Sequence, residues 1–499
     1  MAVAEERDLA LNLIRRVCVG DVLTRGAERF PDKTAIVDGA VELTYRELDR
    51  RANAVGRALL ALPLERQEMV AILARNSWKF VVAYFACAKA GLVALPLNLG
   101  LRAEELAYVI EQSGTRVIVA EPELEELAGA LPPVEHLLIG VPADDPSPLE
   151  VLVENEDAVQ CLFTSGTTSL PKGVLTSHLA VTMAALAAAV GLKIDHEDTT
   201  VLCLPLFHTA ALNTILMPIL LTGGTAVLQP GWDCKAFKEA LDTRRATFAL
   251  LLPAMWQQLL AEPDIRERDW TSMRACIYGM AQMAPERVRE LQEVFGADVL
   301  LGSGQTEFTP PTTLQRREHQ GEKSGSWGPS TILTDTRIMD DDGRPLPRGE
   351  VGEIVYRGPH CMTEYHANPE ATADAFSHGW FHSGDVGYVD EEGVVWFTDR
   401  KKDMIKSGGE NVASIEVERA LLSHPDVAEV AVVGLPSERW GEEVTAFVRG
   451  TAGEEELLAF ARERLATFKV PKRVVLVEDF PRTATGKIQK AVLRASAGA

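Results

Sequence analysis

The sequence predicts an α/β protein: a large, multi-layer N-terminal region built of α/β sheets and carrying a β-rich subdomain, followed by a small α+β C-terminal domain. Three observations predict it. Short apolar runs alternate with helical stretches from about residue 34; the texture changes to turn-punctuated β-like alternation over residues 325–399; and the chain restarts after Arg400 with two helix-plus-strand units. The domains read as 1–400, with the β-rich part at about 325–399, and 401–499.

In order, "TAIVD" (34–38) reads as a strand and "TYRELDRRANAVGRALLAL" (44–62) as a helix. "EMVAILA" (68–74), "LVALPLN" (92–98) and "TRVIVAE" (115–121) read as strands around helices "WKFVVAYFACAKAG" (78–91) and "RAEELAYVIEQSG" (102–114). The helices repeat apolar residues at three and four positions, while near-continuous Val/Ile/Leu runs suit parallel strands covered on both faces. The cycle continues through "TAVLQ" (225–229), "ATFALLLP" (246–253) and "ADVLLGSG" (297–304). Asp342-Gly343 and Glu392-Gly393 then punctuate a mostly antiparallel unit. Beyond "DRKKD", segments 414–436 and 454–479 each pair a helical pattern with an apolar run.

At 499 residues the chain can bury a large core, and its 46% hydrophobic and 24% charged residues are ordinary globular values. A formal charge of −22 argues against nucleic acid as a partner. Seven scattered cysteines without a Cys-x-x-Cys pair suggest neither a disulfide framework nor a zinc site, and fit a reducing compartment. The charged N-terminus lacks the apolar core of a signal peptide, and "ILMPILLTGG" falls short of the roughly 20 apolar residues that span a bilayer. The expectation is a cytoplasmic protein with no integral membrane segment; a homodimer is compatible with the sequence, which does not set the oligomeric state.

The most pointed local feature is "FTSGTTSLPKG" (163–173), placed after the apolar strand 158–165, where open α/β sheets usually bind ligands. Backbone N–H groups freed by Gly166 and Gly173, the hydroxyls of Thr164, Ser165, Thr167 and Thr168, and the Lys172 ammonium suit a polyphosphate. Pro171 and Gly173 flank Lys172, so this is not a Walker A loop. Taken alone, the stretch reads more readily as a polar surface loop than as a phosphate cradle.

The loop resembles the phosphate-binding signature of the adenylate-forming enzymes, the superfamily of acyl-CoA synthetases, luciferases and peptide-synthetase adenylation domains. Three further segments resemble that superfamily's signatures in the same order, spanning roughly residues 20 to 490. In "LLGSGQTEFT" (300–309) the resemblance implies that Thr306 lies near the nucleotide phosphate and that Glu307 is the Mg²⁺ ligand, since Mg²⁺ commonly takes one carboxylate plus substrate phosphates. In "SGDVGYVDEEGVVWFTDRKKD" it implies that Asp385 and Arg400 hold the ribose hydroxyls, an acceptor and a donor matched to a diol. In "TATGKIQK" (483–490) it implies that Lys487 neutralises the α-phosphate during attack.

The rest of the expected site also comes from the resemblance. Gly279, Met280 and Ala281 would line the adenine, and Ser303, Gly304 and Gln305 would also bind the nucleotide. His208, Leu212, Met255, Trp256 and Gly302 would form the acyl pocket, with His208 also at the thiol channel. Lys406, Gly408, Gly409 and Trp440 would border that channel, and Lys402 would be the hinge of a mobile C-terminal domain. The implied cofactors are ATP, Mg²⁺ and coenzyme A.

The implied activity is an ATP-dependent acid–thiol ligase. A carboxylic acid, aliphatic or aryl because no Asp stands where amino-acid-activating relatives grip an α-amino group, becomes an acyl adenylate and then passes to coenzyme A. An acyl-carrier protein is the second acceptor considered. Three departures from the pattern bear on the nucleotide: Ser169 for Gly, Ser303 for Tyr, and "YGMAQM" (278–283) where Gly-Gly-Ala-Pro-Leu is usual, Tyr278 being a candidate replacement ring. They leave open an enzyme specialised for one half-reaction. The competing class is a non-catalytic nucleotide or acyl-ligand binder.

Overall fold

The computed structural model describes residues 2–140, 145–164, 171–280, 283–320, 323–482 and 488–497, with the backbone alone for residues 2–7 and 497. They fall into two compact units. The first comprises Met1–Thr164, Lys172–Asp335 and Tyr356–Phe376; the second comprises chiefly Thr336–Val355 and Ser377–Ala499.

The first unit holds two twisted sheets. In the eight-stranded sheet the order is Thr313–Gln315, Asp298–Ser303, Ala275–Tyr278, Phe248–Leu251, Thr199–Leu202, Thr225–Leu228, Thr34–Asp38 and Val41–Thr44. Its inner strands are parallel and its two edge strands antiparallel. In the seven-stranded sheet the order is Glu364–Tyr365, Lys172–Ser177, Ala158–Thr164, Val93–Pro96, Met69–Leu73, Val117–Ala120 and His136–Ile139, parallel from the third strand onward.

Helices start and stop where local chemistry directs. Thr44 and Glu47 form a reciprocal capping box on helix Tyr45–Leu60, and Ser77 caps helix Trp78–Ala90, which ends on Gly91 at φ 71°. The latter helix is apolar all round and buried from Phe80 to Ala90, the pattern of a helix with no solvent face. It shares one core with helix His178–Leu192 and with side chains of both sheets, including Ile36, Val70, Ile72, Val117 and Val159.

In the second unit, strands Val394–Arg400, Phe381–Val389, Gly352–Arg357 and Asp335–Met339 lie in that order. The first two form an antiparallel hairpin closed by Asp390, whose Oδ1 accepts from the backbone N–H groups of Glu392 and Val394. The C-terminal part pairs Val427–Ser437 with Gly441–Gly450, flanks them with Ile405–Ser407, Glu410–Val412 and Arg473–Leu476, and packs helices Ser414–Leu422 and Glu454–Arg462 on a core that includes Val417, Leu421, Val432, Val444 and Leu457. All seven cysteines are free thiols. Among the described residues no helix is long and apolar enough to cross a membrane.

Candidate active site

The hydroxyl-rich segment joins two antiparallel strands. Ala158–Thr164 pairs with Lys172–Ser177, and Thr164 stands opposite Lys172. The Thr164 hydroxyl donates to the Lys172 carbonyl at 3.4 Å. Ser165, Gly166, Thr167, Thr168 and Ser169 lie outside the described residues, as do Ala281 and Lys487. Gly173 is dictated by packing, because a Cβ there would lie 2.8 Å from Cys161 Sγ and 3.0 Å from the Phe163 ring.

Tyr365 connects this hairpin to Glu307. It belongs to the two-residue strand Glu364–Tyr365, which pairs with the hairpin at Val174 and Leu175. Lys172 Nζ sits 4.7 Å from the centroid of the Tyr365 ring, within reach of its negative face. On the other side the Tyr365 hydroxyl donates to Glu307 Oε1 at 3.0 Å, and the Met362 N–H donates to the Glu307 carbonyl at 2.8 Å. Burial, reinforced by the Glu307 charge, pushes the Tyr365 phenol far above its ordinary range, so it stays a donor. Nothing in the local sequence singles out Tyr365. Its one signal is position, three residues before Asn368, which caps helix Pro369–Ala375.

The remaining residues expected in this unit gather at the carboxyl ends of parallel strands in the eight-stranded sheet, the usual ligand edge of such sheets. His208 follows Thr199–Leu202, Met255 follows Phe248–Leu251, Gly279 and Met280 follow Ala275–Tyr278, and Gly302 to Thr306 end Asp298–Ser303 and open the next turn. Gly279 and Gly302 are neighbours: a Cβ on Gly279 would lie 3.0 Å from the Gly302 carbonyl, whereas one on Gly302 would meet open space. Gly304 leaves no room for a side chain, since a Cβ would come within 2.5 Å of Pro310 Cβ. Thr312 pins the turn from below, donating both its N–H (2.9 Å) and its hydroxyl (3.2 Å) to the Ser303 carbonyl. Gln305 Nε2 is buried with no partner among the described residues, a polar atom ready for a ligand acceptor. Met280 takes φ 65°, a left-handed conformation, and is exposed.

His208 caps the short helix Thr209–Ala211, its Nδ1 accepting from the Ala210 N–H at 3.3 Å, and Leu212 opens the π-helical turn Leu212–Leu216 directly after it. Leu212 is fully buried in the core. Trp256 is likewise fully buried and donates its indole N–H to the Ile277 carbonyl at 2.9 Å, so it braces the strand beneath the site. The candidate replacement ring is corrected: Tyr278 is spent in the core beside Trp256 and Met283, because strand alternation turns it to the same face as Cys276, and burial pushes its phenol up to about 12.

In the second unit Asp385 and Arg400 stand directly opposite one another in the hairpin, and Arg400 Nε lies 2.7 Å from Asp385 Oδ1. The Asp385 carboxylate is nearly buried while the guanidinium is half exposed. Lys402 occupies the turn between Val394–Arg400 and Ile405–Ser407, where the Asp403 N–H donates to the Arg400 carbonyl at 2.9 Å. Lys406 is exposed, its N–H donating to Glu442 Oε2 at 2.7 Å. Gly408 and Gly409 form the adjoining turn at φ 61° and 88°. The Gly408 N–H donates to the Trp440 carbonyl at 2.8 Å, and a Cβ on Gly408 would lie 3.1 Å from the Trp440 ring. Arg439 and Lys472 bracket that ring, 4.7 and 5.3 Å from its centroid.

The family model described as "AMP-binding enzyme" matches residues 23–366, and that described as "AMP-binding enzyme C-terminal domain" matches residues 416–487. A feruloyl-CoA synthase of Amycolatopsis sp is 37% identical over 490 residues, covering 96% of this chain and 99% of the relative. The long-chain-fatty-acid–CoA ligase FadD13 of Mycobacterium tuberculosis is 35% identical over 494 residues, covering 95% and 98%. Among solved structures, ATP-bound MatB from Rhodopseudomonas palustris superimposes with a TM-score of 0.87 at 31% identity, covering 96% of this chain and 99% of that one.

Proposed function

This chain belongs to the AMP-binding enzyme family, and from that premise we propose how its own residues carry out the reaction. It is an AMP-forming acid–thiol ligase. A carboxylic acid and ATP give an acyl adenylate and pyrophosphate, and coenzyme A then takes the acyl group as AMP leaves.

The observation that carries the assignment of roles is the meeting of Lys172 and Glu307 on the two sides of Tyr365. A cation beside the hydroxyl-rich segment and a carboxylate suited to a hard cation face the same small region, as a Mg²⁺-chelated triphosphate requires. Glu307 would hold Mg²⁺, which would neutralise charge on the departing pyrophosphate. Lys172, Thr164 and the hydroxyls of Ser165, Thr167 and Thr168 bind and orient the phosphates, while Thr306 and the Gln305 amide donate to them. Asp385 accepts from a ribose hydroxyl and Arg400 donates to the sugar oxygens. Lys487 brings its ammonium to the α-phosphate as the substrate carboxylate attacks.

For the second step we propose that residues 401–499 change their placement about Lys402. Support comes from the strand ending at Arg400, the next beginning at Ile405, and the turn between them. Gly408, Gly409, Lys406 and Trp440 then border the pantetheine arm. A glycine pair at positive φ brings bare backbone to a narrow passage, which a side chain would obstruct.

The acid is aliphatic or aryl, without an α-ammonium group. The partly buried, apolar Met255, the open space beside Gly302, and the similarity to a feruloyl-CoA synthase and a long-chain-fatty-acid–CoA ligase support this. The seven free thiols support a reducing, cytoplasmic location. The test is AMP accumulation with ATP, Mg²⁺, coenzyme A and a mixed pool of acids. Acid-dependent AMP is the expected result; none with any acid contradicts the reading.

A further inference from the structure

Glu353 lies on strand Gly352–Arg357, far in sequence from either half of the Asp385–Arg400 pair, and only 8% of its side chain is exposed. Its Oε1 accepts from the Gly384 N–H at 3.0 Å. Its Oε2 accepts from Lys401 Nζ at 3.0 Å and lies 3.1 Å from His382 Nδ1. Gly384 immediately precedes Asp385, and Lys401 immediately follows Arg400. The Lys401 N–H also donates to the Gly384 carbonyl at 2.8 Å, so these two residues form the next rung of the hairpin.

One carboxylate thus grips both strands one residue beyond the pair. Gly384 adopts φ 71°, which turns its N–H out toward Glu353, and a side chain there would be strained. The far ends of the bracing groups are held as well. His382 Nε2 lies 3.1 Å from the Ser377 carbonyl, and Lys401 Nζ reaches Asp341 Oδ1 at 2.9 Å. Burial alone would push the Glu353 carboxyl up, but the His382, Lys401 and Gly384 donors outweigh it and hold it below its ordinary range.

A general hairpin staple would lie anywhere along the ladder, whereas this one closes the rung beside Asp385 and Arg400. The turn at the opposite end has its own closure in Asp390. We propose that Glu353 is a positioning residue for sugar recognition: by gripping Gly384 and Lys401 it fixes the separation and direction of Asp385 and Arg400, and so sets the preference for a ribose diol over a deoxyribose. This rests on the reading of Asp385 and Arg400 as the ribose-binding pair.

The experiment measures kcat/KM for ATP, 2′-deoxy-ATP and 3′-deoxy-ATP in the full-length protein and in Glu353→Gln, Lys401→Met and Asp385→Asn. The preference for ATP over the deoxynucleotides should fall on the order of ten- to a hundredfold in Glu353→Gln, as expected when a binding group is displaced by a fraction of an ångström, and less in Lys401→Met. Equal loss with all three nucleotides in Glu353→Gln would overturn the inference and leave Glu353 a structural brace. Should Glu353→Gln fail to fold, Lys401→Met, altered at a half-exposed position, decides by the same ratio. An unchanged preference in Asp385→Asn would instead overturn the ribose reading itself.

Discussion

The Tyr365 hydroxyl donates to Glu307 Oε1 at 3.0 Å while the face of the same ring lies 4.7 Å from Lys172 Nζ. One side chain therefore sits between a carboxylate suited to Mg²⁺ and a cation suited to phosphate, and its two ends can be removed separately. Tyr365→Phe keeps the ring for Lys172 and deletes the hydrogen bond to Glu307. A bond to a charged group contributes about 1.5–3 kcal/mol. ATP–pyrophosphate exchange should fall roughly ten- to a hundredfold, and the Mg²⁺ concentration for half-maximal exchange should rise. Tyr365→Leu, which also removes the ring, should add a higher KM for ATP.

The strands were legible in the sequence because burial on both faces writes itself as continuous apolar runs, as in Thr34–Asp38 and Val117–Ala120. The family was legible through the resemblance of four signatures in their order, and the match to its two domain models bears that out. Tyr365 was not, because its partner Glu307 is 58 residues away and the two meet only when a two-residue strand joins the edge of the hairpin at Lys172–Ser177. Nor could the sequence separate a pocket wall from the core behind it. Trp256 and Tyr278 read as aromatics near the site, but the inner face of helix Pro253–Leu260 buries the first and strand alternation buries the second. The return of the hydroxyl-rich segment as an antiparallel hairpin was likewise hidden, since "KGVLTS" carries no pattern that distinguishes it from other short apolar runs.

Lys487 should act in the first half-reaction alone. Lys487→Ala is expected to lower acid-dependent ATP–pyrophosphate exchange by about 10²–10³, the cost of removing one group aimed at developing charge. Thioester formation from a synthetic acyl adenylate should stay largely intact. Equal loss in both assays would refute the division of labour between two placements of residues 401–499.

The glycine turn should give the reverse pattern. In Gly408→Val the new side chain meets the Trp440 ring at 3.1 Å from Cβ and carries a φ of 61°, a conformation that costs a non-glycine residue about 1–2 kcal/mol. Exchange should be preserved, and thioester formation from the synthetic adenylate should fall at least about tenfold. A loss of exchange to the same degree would place Gly408 outside the thiol passage.

His178 should set the acid limb of stability. Its Nδ1 accepts from the Val19 N–H at 3.0 Å in the core, and burial lowers its pKa from 6.5 to about 4. The unfolded chain therefore binds a proton below 6.5 that the folded chain refuses until about 4, so stability is full above that window and falls as pH drops through it. The shift corresponds to about 3 kcal/mol. Melting temperature between pH 7 and pH 4 should fall less steeply in His178→Gln, whose amide oxygen can still accept from Val19; an unchanged slope would mean that other groups carry the effect.

One chain performs both adenylation and thioester formation. The most direct measurement is acid-dependent ATP–pyrophosphate exchange across aliphatic, aryl and dicarboxylic acids, with coenzyme A consumption followed in parallel. Exchange is expected with an aliphatic or aryl class, together with stoichiometric loss of free coenzyme A thiol with the same acids. Thioester from a supplied adenylate without exchange from any acid would mean that this chain does not carry out the adenylation half.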